Sequence, residues 1–563
     1  MSSHTTAIPS SSRPTIDTSV HTPAEAHDNG KGKGKVGSTP SRATGTDGGP
    51  NTPSRASNAS AGSPLRSNQA LSGLNSLLGA KKVHPAAHAH VPPGSSSFDA
   101  SAMLKTTART KAVVNMSNVR KNFRTGLAMI GSHSPELAAR GGAVVKADGY
   151  GLDAAAFAKV LASEGCRDFF VAELSEAVKL RKAMQAERPD LADQISINVL
   201  GGLDMAVDPK WFVENNITPV INSVEQALHW NAIAKDMQLA NKLKPGEGLD
   251  CILQFDSGMS RTGIGGRDID RLMQAIDNGD LKHIAPQLMM SHLAKAGDTD
   301  PATADPETHE REPGADTLQQ LSNFNAVADR LKERYPHIQE SLGASSTVFL
   351  GKSDLGKSIH KNMVRMGATF HAQAPFEADT NPLLPTLTVS SKLGSFTAYE
   401  AGAKVGYGGT YTVKPGGETL ATIPVGYRDI LPTPDRWDMQ AADGSVPTVR
   451  VRTADGELHP CPFAGKPSMD MASINVSGIP AHQLKEGLEV VLIDDKVTPD
   501  QFAVQFGMGA SYVQTKLASD RVAVVHEDNE AFPSPAAEPV VAPSPWSKAG
   551  RAARAEAAAT AAV

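Results

Sequence analysis

From about residue 112 to 372 the chain alternates short apolar runs with segments of helical period. In "AAAFAKVLASEG" the spacing puts Phe157, Val160 and Leu161 on one helical face. "ISINVLGG" reads as a strand that stops at glycines. "ITPVINSVEQALHW" reads as a strand followed by a helix. Ser223 with Gln226 three residues on is a capping-box start. Strand–helix alternation sustained over this length predicts an α/β domain of (β/α)8 TIM-type barrel architecture. An open doubly wound sheet has the same pattern and stays open at this point.

From about 385 to 526 the pattern changes. "LTVSSKLGSFTAYEAGAKVGYGGTYTVKPGGETLATIPVGY" has period-two stretches, β-forming residues and a Pro-Gly-Gly turn. This predicts a mainly β C-terminal domain. The predicted domains are a barrel over 106–375, whose first strand can join the β domain, and a β-rich domain over 376–527. The acidic stretch 295–316 reads as an inserted surface loop.

Composition adds the ends. Residues 1–105 are rich in Ser, Thr, Pro, Gly and His, and cannot bury enough apolar area to offset chain entropy. Residues 528–563 repeat the bias with "PSPAAEPVVAPSPW" and then an Ala/Arg stretch. Both read as tails, the first disordered, the second disordered or partly helical. The formal net charge of −5 comes with no basic patch suited to nucleic acid. The cysteines Cys166, Cys251 and Cys461 form no ligand-spaced pair, which speaks against a disulfide scaffold or a zinc site. No apolar run has membrane-spanning length and no secretory signal is legible, so the expectation is a soluble cytoplasmic protein.

Candidate chemistry sits where strand-like runs end. "AVVK" ends on Lys146, "CILQFDSGMSR" runs into Asp256 and Arg261, and "LMMSH" ends on His292. "SLGASS" brings Ser345 and Ser346, and "MVRMG" carries Arg365 before Gly367. In a barrel these ends meet on one face. Any one of them alone reads as a satisfied polar residue. Together, a lysine able to form an imine, hydroxyls and backbone N–H groups for a phosphate, and cations beside a ring suit an anionic aldehyde cofactor. "SSTVFLGKS" imitates a nucleotide phosphate loop, but Ser346 stands where its first glycine belongs.

These blocks resemble the alanine racemase family of fold-type III enzymes dependent on pyridoxal 5′-phosphate. "AVVKADGYG", "DSGMSRTG", "MSHLAKAGD", "MVRMG", "VGYGGTYT", "IPVGYRD", "SMDM" and "SYVQTKLASDR" follow the family's order across roughly residues 110–525. The resemblance implies a homodimer with active sites shared across the interface and no metal. It implies Lys146 as the cofactor lysine and first base, with Tyr407 of the other subunit as the second. Arg365 would face the pyridine nitrogen. Tyr150, Ser345, Gly367 and Tyr512 would hold the phosphate, with Ser346 one residue from that role. Arg261 and Met469 would contact the substrate carboxylate, and His292 would support Tyr407.

Racemisation wants a base on each face of a planar carbon, since one base alone tends to restore the starting hand. Lysine and tyrosine both have ordinary pKa values near 10, so the site must lower them. A neighbouring cation such as His292 or Arg365 would favour the Tyr407 phenolate. Taken alone, Tyr407 reads as a sheet aromatic and Met469 as core. The sequence departs from the family at Gln254, where many members carry a carbamylated lysine. A Gln254 amide can accept from Arg261, or an anion such as chloride can fill the gap. Leu152-Asp153 and Ala344 also depart. The competing functions are another activity on this scaffold, a decarboxylase or D-amino-acid lyase, and a non-catalytic cofactor-binding protein. Alanine is the default substrate, with broader amino-acid specificity open.

Overall fold

A computed structural model describes residues 103, 107–131, 139–240, 242–243, 247–297, 311–351, 353–373, 381–437, 444–530 and 541–561. The expectation for 1–105, apart from Met103, and most of the acidic loop therefore lie outside the described residues. Strands β2 (Arg140–Val144), β3 (Asp168–Val171), β4 (Ser196–Val199), β5 (Thr218–Ile221), β6 (Leu249–Gln254), β7 (Ile284–Met290), β8 (Gln339–Ser341) and β9 (Met363–Met366) form one sheet in the order 8-7-6-5-4-3-2-9. Every pair in it is parallel. Its end strands meet: the Asn362 amide donates to the Glu340 carbonyl (3.0 Å) and the Arg365 amide to that of Gly343 (3.1 Å). The sheet is thus a closed barrel, not the open alternative.

The reason is legible in burial. Strands β3, β4, β5 and β9 are buried at every position. Such strands need cover on both faces, which helices outside and a filled interior supply. The helix Ala154–Ser163 buries Phe157, Val160 and Leu161, the face expected from their spacing. At Val224–Leu239 the Ser223 side chain accepts from the Gln226 amide (3.1 Å). The Gln226 carboxamide reaches Asn222 instead of the cap, accepting from its amide at 2.8 Å.

The second domain is built on a sheet in the order 16-15-18-10-1-19. Its members are β1 (Thr110–Asn115), β10 (Leu387–Lys392), β15 (Thr448–Arg452), β16 (Leu458–Pro462), β18 (Glu489–Ile493) and β19 (Val522–Glu527). The first strand thus belongs to this sheet, paired antiparallel with β10 and parallel with β19. Strands β11 (Phe396–Tyr399), β14 (Glu418–Ile423) and β17 (Ala472–Asn475) make a smaller sheet. A two-stranded ribbon, β12 (Lys404–Val405) with β13 (Tyr411–Thr412), carries Tyr407 between its strands. Toward the C-terminus, Lys548–Ala561 is helical and Trp546 is buried. Among the described residues no helix is long and apolar enough to cross a membrane.

Candidate active site

The carboxyl ends of the barrel strands surround a cavity of about 520 Å³. Lys146, Tyr150, Arg261, His292, Ser345, Ser346, Arg365 and Gly367 all line it, with Gln254 and Glu173. The strand-end residues that the sequence singled out are therefore brought together by the barrel. Asp256 turns to its own loop, where it accepts from the amides of Gly258, Met259 and Ser260.

Lys146 follows β2 at the lip of a turn of unusual hand. Ala147, Asp148, Gly149 and Tyr150 have φ of 54°, 53°, 68° and 60°. An L-residue in this region costs about 1–2 kcal/mol, so the turn needs outside support. Glu176 supplies part of it, since its carboxylate accepts from the Ala147 amide (2.8 Å) and from that of Ala172 (2.7 Å). Asp148 accepts from the Ala154 amide (3.2 Å) and pairs with Lys179 (3.2 Å). Reading the motifs missed Glu176; its one signal was a glutamate three residues after Glu173 at a helix start. Burial lowers the Lys146 pKa, the nearby Arg261 charge lowers it further, and Glu176 opposes. A lysine so placed yields its proton more readily than one in water.

The left-handed turn delivers the Tyr150 ring inward, against the ring of His371 at 4.9 Å. Burial pushes the Tyr150 phenol up to about 12, so at neutral pH it is a hydrogen-bond donor. Its hydroxyl oxygen lies so near Gly367 that a side-chain Cβ there would sit 2.5 Å from it. The Ser345 hydroxyl accepts from the amides of Gly367 (2.8 Å) and Thr369 (3.3 Å). Of the two neighbouring serines, Ser345 is the one joined to the Gly367 amide.

Arg365 is buried in the cavity wall. Its guanidinium donates to the Ser341 carbonyl (2.9 Å), the Ser341 hydroxyl (2.5 Å) and the Ser291 carbonyl (2.5 Å). Burial lowers its pKa to about 10, which leaves it a cation at neutral pH. His292 differs from expectation. Burial, with Arg365, Arg261 and Lys146 adding repulsion, pushes its imidazole down to about 3. It is neutral and cannot be the cation that favours a phenolate. Gln254 also differs: its amide donates to the Thr262 carbonyl (3.2 Å) and accepts nothing from Arg261 among the described residues.

Tyr407, Met469 and Tyr512 do not line this chain's cavity. Tyr407 is 62% exposed and Met469 55%, so neither is core. Tyr407 lies in a turn whose neighbours Gly406 and Gly408 take φ of 72° and 71°, open only to glycine without strain. The other tyrosine of that motif, Tyr411, is tied to both oxygens of Glu418 (2.9 and 2.8 Å). The Met469 carbonyl accepts from the Arg428 amide at 2.9 Å, and this backbone lies close against Gly426. That contact explains the glycine of "IPVGYRD". Tyr512, on Ala510–Lys516, is 39% exposed with the Lys516 ammonium 5.6 Å over its ring.

The comparisons with known proteins follow the same division of the chain. The family described as "Alanine racemase, N-terminal domain" matches residues 114–375, and "Alanine racemase, C-terminal domain" matches 386–526. The chain belongs to the alanine racemase family. A catabolic alanine racemase of Rhizobium johnstonii is 32% identical over 408 residues, covering 72% of this chain and 92% of that protein. The alanine racemase of Brucella canis is 34% identical over 367 residues, 63% of this chain and 79% of that one. In fold, the chain is similar to the Bartonella henselae alanine racemase crystallised with covalently bound pyridoxal phosphate. The TM-score is 0.59 at 22% identity, over 75% of this chain and 99% of that one. The C-terminal family model ends at residue 526, ahead of the helix Lys548–Ala561.

The two buried histidines make a prediction for stability. His371 is pushed down to about 3 like His292, in both cases chiefly by burial. Unfolded, each ring returns to its ordinary value of 6.5. The unfolded chain then binds more protons below that pH. The stability gained by burying neutral rings is complete above pH 6.5 and is lost as the pH falls from there toward 3. Each ring adds a slope of up to about 1.4 kcal/mol per pH unit in that window. Urea midpoints measured across it should fall with acid, and less steeply in His371→Phe than in the wild type. Equal slopes would remove His371 from the account.

Proposed function

We propose that this protein is an alanine racemase that uses pyridoxal 5′-phosphate and acts as a homodimer with two opposed bases, Lys146 and the partner's Tyr407. The observation that carries this reading is the pairing of an incomplete cavity with an unused tyrosine. Lys146 stands in the cavity with a lowered pKa. Tyr407 stands outside it, exposed and held by glycines on the second domain. A second copy that brings one to the other completes a site with a proton carrier on each side.

The residues present fit the cofactor. The Tyr150 hydroxyl, the Ser345 hydroxyl and the Gly367 backbone converge closely enough to take a phosphate. Arg365 is a fixed cation in the wall, suited to a ring nitrogen. Lys146 is the amine for the aldehyde. When bound, the group supplies a conjugated system that spreads the negative charge left at the amino acid's Cα.

This chain's residues do the rest. Arg261, at the cavity mouth without a carboxylate partner among the described residues, takes the substrate carboxylate. Lys146 moves the proton at one face of Cα, helped by the burial that weakens its hold on it. The partner's Tyr407 moves the proton at the other face. Neutral His292 can hydrogen-bond a tyrosine hydroxyl without placing a second cation beside Arg261. Arg365 gives up its proton reluctantly, so it can donate a hydrogen bond to the ring while leaving that nitrogen unprotonated.

Purified protein incubated with pyridoxal 5′-phosphate and L-alanine should form D-alanine up to a one-to-one mixture, read by chiral chromatography. Serine, lysine and arginine in parallel reactions define the range. Carbon dioxide or a keto acid as the main product would overturn the reading in favour of another activity on the scaffold.

A further inference from the structure

The end of the barrel opposite the cavity is filled by the chain's own C-terminal segment. The family matches stop at residue 526, and the motifs of the site do not involve this segment. Trp546 is 1% exposed. It shares one buried apolar cluster with Phe170, Val220, Ile252, Leu288, Met290 and Met363, side chains of the barrel strands. Its indole N–H donates to the Asn198 side-chain carbonyl (3.0 Å), and the Arg140 guanidinium lies 4.9 Å over the ring.

The contacts around Trp546 are all made to the amino-terminal mouth. The Ser544 hydroxyl donates to Asp168 (2.6 Å) and the Ser544 amide to the Gln194 carbonyl (3.0 Å). The Ala549 amide donates to the Asp193 carbonyl (2.9 Å), and Lys548 pairs with the Asp193 carboxylate (2.7 Å). From the helix Lys548–Ala561, Arg554 pairs with Asp250 (3.0 Å), Arg551 approaches the same carboxylate (3.5 Å), and Arg551 also bonds Asn216.

The fit is chemical as well as spatial. The mouth presents a polar layer, Asp168, Ser196, Asn198 and Asp250, all nearly fully buried, beneath an apolar one. Tryptophan has a large apolar body and one N–H, which matches such a two-layered hole. Pro543 and Pro545 flank Ser544 and reduce the entropy lost on docking. The apolar layer reaches the other end. Val144 and Leu200 pack against the Trp546 cluster, and Val144, Leu200 and Met290 also line the catalytic cavity.

We propose that residues 541–561 are a built-in stopper for the amino-terminal mouth of the barrel, and that Trp546 is a positioning residue that fixes the floor of the catalytic cavity from below. The stopper stands independently of the proposed reaction; the positioning role rests on it.

The test compares the wild type with Trp546→Ala, Trp546→Phe and a chain ending at residue 540, all loaded with cofactor. Trp546→Ala should lower Tm by about 5–10 °C and the truncation by at least as much. Trp546→Phe keeps the apolar body and should recover most of that loss. A synthetic peptide of residues 541–561 should raise the Tm of the truncated protein saturably. Well below Tm, Trp546→Ala should lower kcat for alanine by about tenfold with a smaller change in KM. The visible circular dichroism of the bound cofactor should change with it. Unchanged Tm in both Trp546→Ala and the truncation would overturn the stopper. A lowered Tm with unchanged kcat and unchanged dichroism would overturn the positioning role. If the wild type does not racemise alanine, the proposed reaction fails and the positioning role with it, while the Tm and peptide measurements still decide the stopper.

Discussion

Replacing Lys146 by alanine is expected to abolish D-alanine formation, with kcat/KM lowered by at least about 10⁴-fold. The lysine serves twice in the proposed reaction, as the amine that anchors the cofactor and as one of the two bases. Its loss should leave the fold intact, because burial disfavours its charge and the turn after it is held by Glu176. Urea unfolding should therefore shift by no more than about 0.5 kcal/mol. A small primary amine added to the variant should restore part of the activity, since the cavity left by the side chain opens on the substrate space. Activity within tenfold of the wild type would remove Lys146 from the chemistry.

Replacing Tyr407 by phenylalanine should lower kcat by about 10²–10⁴-fold with KM changed much less. Tyr407 is 62% exposed and its hydroxyl makes no hydrogen bond among the described residues, so Tm should not move. The stronger form of the experiment mixes subunits. Lys146→Ala and Tyr407→Phe alone should each retain at most about a hundredth of the wild-type activity. Refolded together in equal amounts, they should form mixed dimers in which, under the proposed arrangement, one of the two sites has both bases. About a quarter of the wild-type activity should return, the statistical value for random pairing of two subunit types. Sites made within one chain would return none.

Several features were legible along the chain for simple reasons. Helical spacing marked the buried face of Ala154–Ser163, and Ser223 marked a helix start, because these depend on neighbours a few residues away. Lys146, Arg261, His292, Ser345, Arg365 and Gly367 stood out because a parallel barrel collects its strand ends on one face. Other properties were not legible. His292 reads from sequence as a cation that could favour the Tyr407 phenolate, but the burial around it and the guanidinium of Arg365, from a strand distant in sequence, hold it neutral. Gln254 reads as an acceptor for Arg261 or a neighbour of a bound anion, whereas its amide N–H is committed to the Thr262 carbonyl of the following loop. Glu176 supports the left-handed turn at Lys146 through a contact between two separate strand–helix units.

The C-terminal segment makes the division plain. Its Pro, Ala and Arg content predicted a disordered or partly helical tail, because composition measures only what a segment can bury in itself. In the folded chain Trp546 finds its apolar surroundings in strands β3, β5, β6, β7 and β9 and its hydrogen-bond acceptor in β4. The amino-acid order alone determined the alternating elements, the β-rich second half and the lysine, arginines and serine at the strand ends, since periodicity and motif spacing are local. Only the tertiary structure decided that the sheet closes, which charges His292 meets, that Tyr407 stands outside its own chain's cavity, and what occupies the far mouth of the barrel. Those outcomes depend on which distant surfaces come into contact, and local sequence does not encode that.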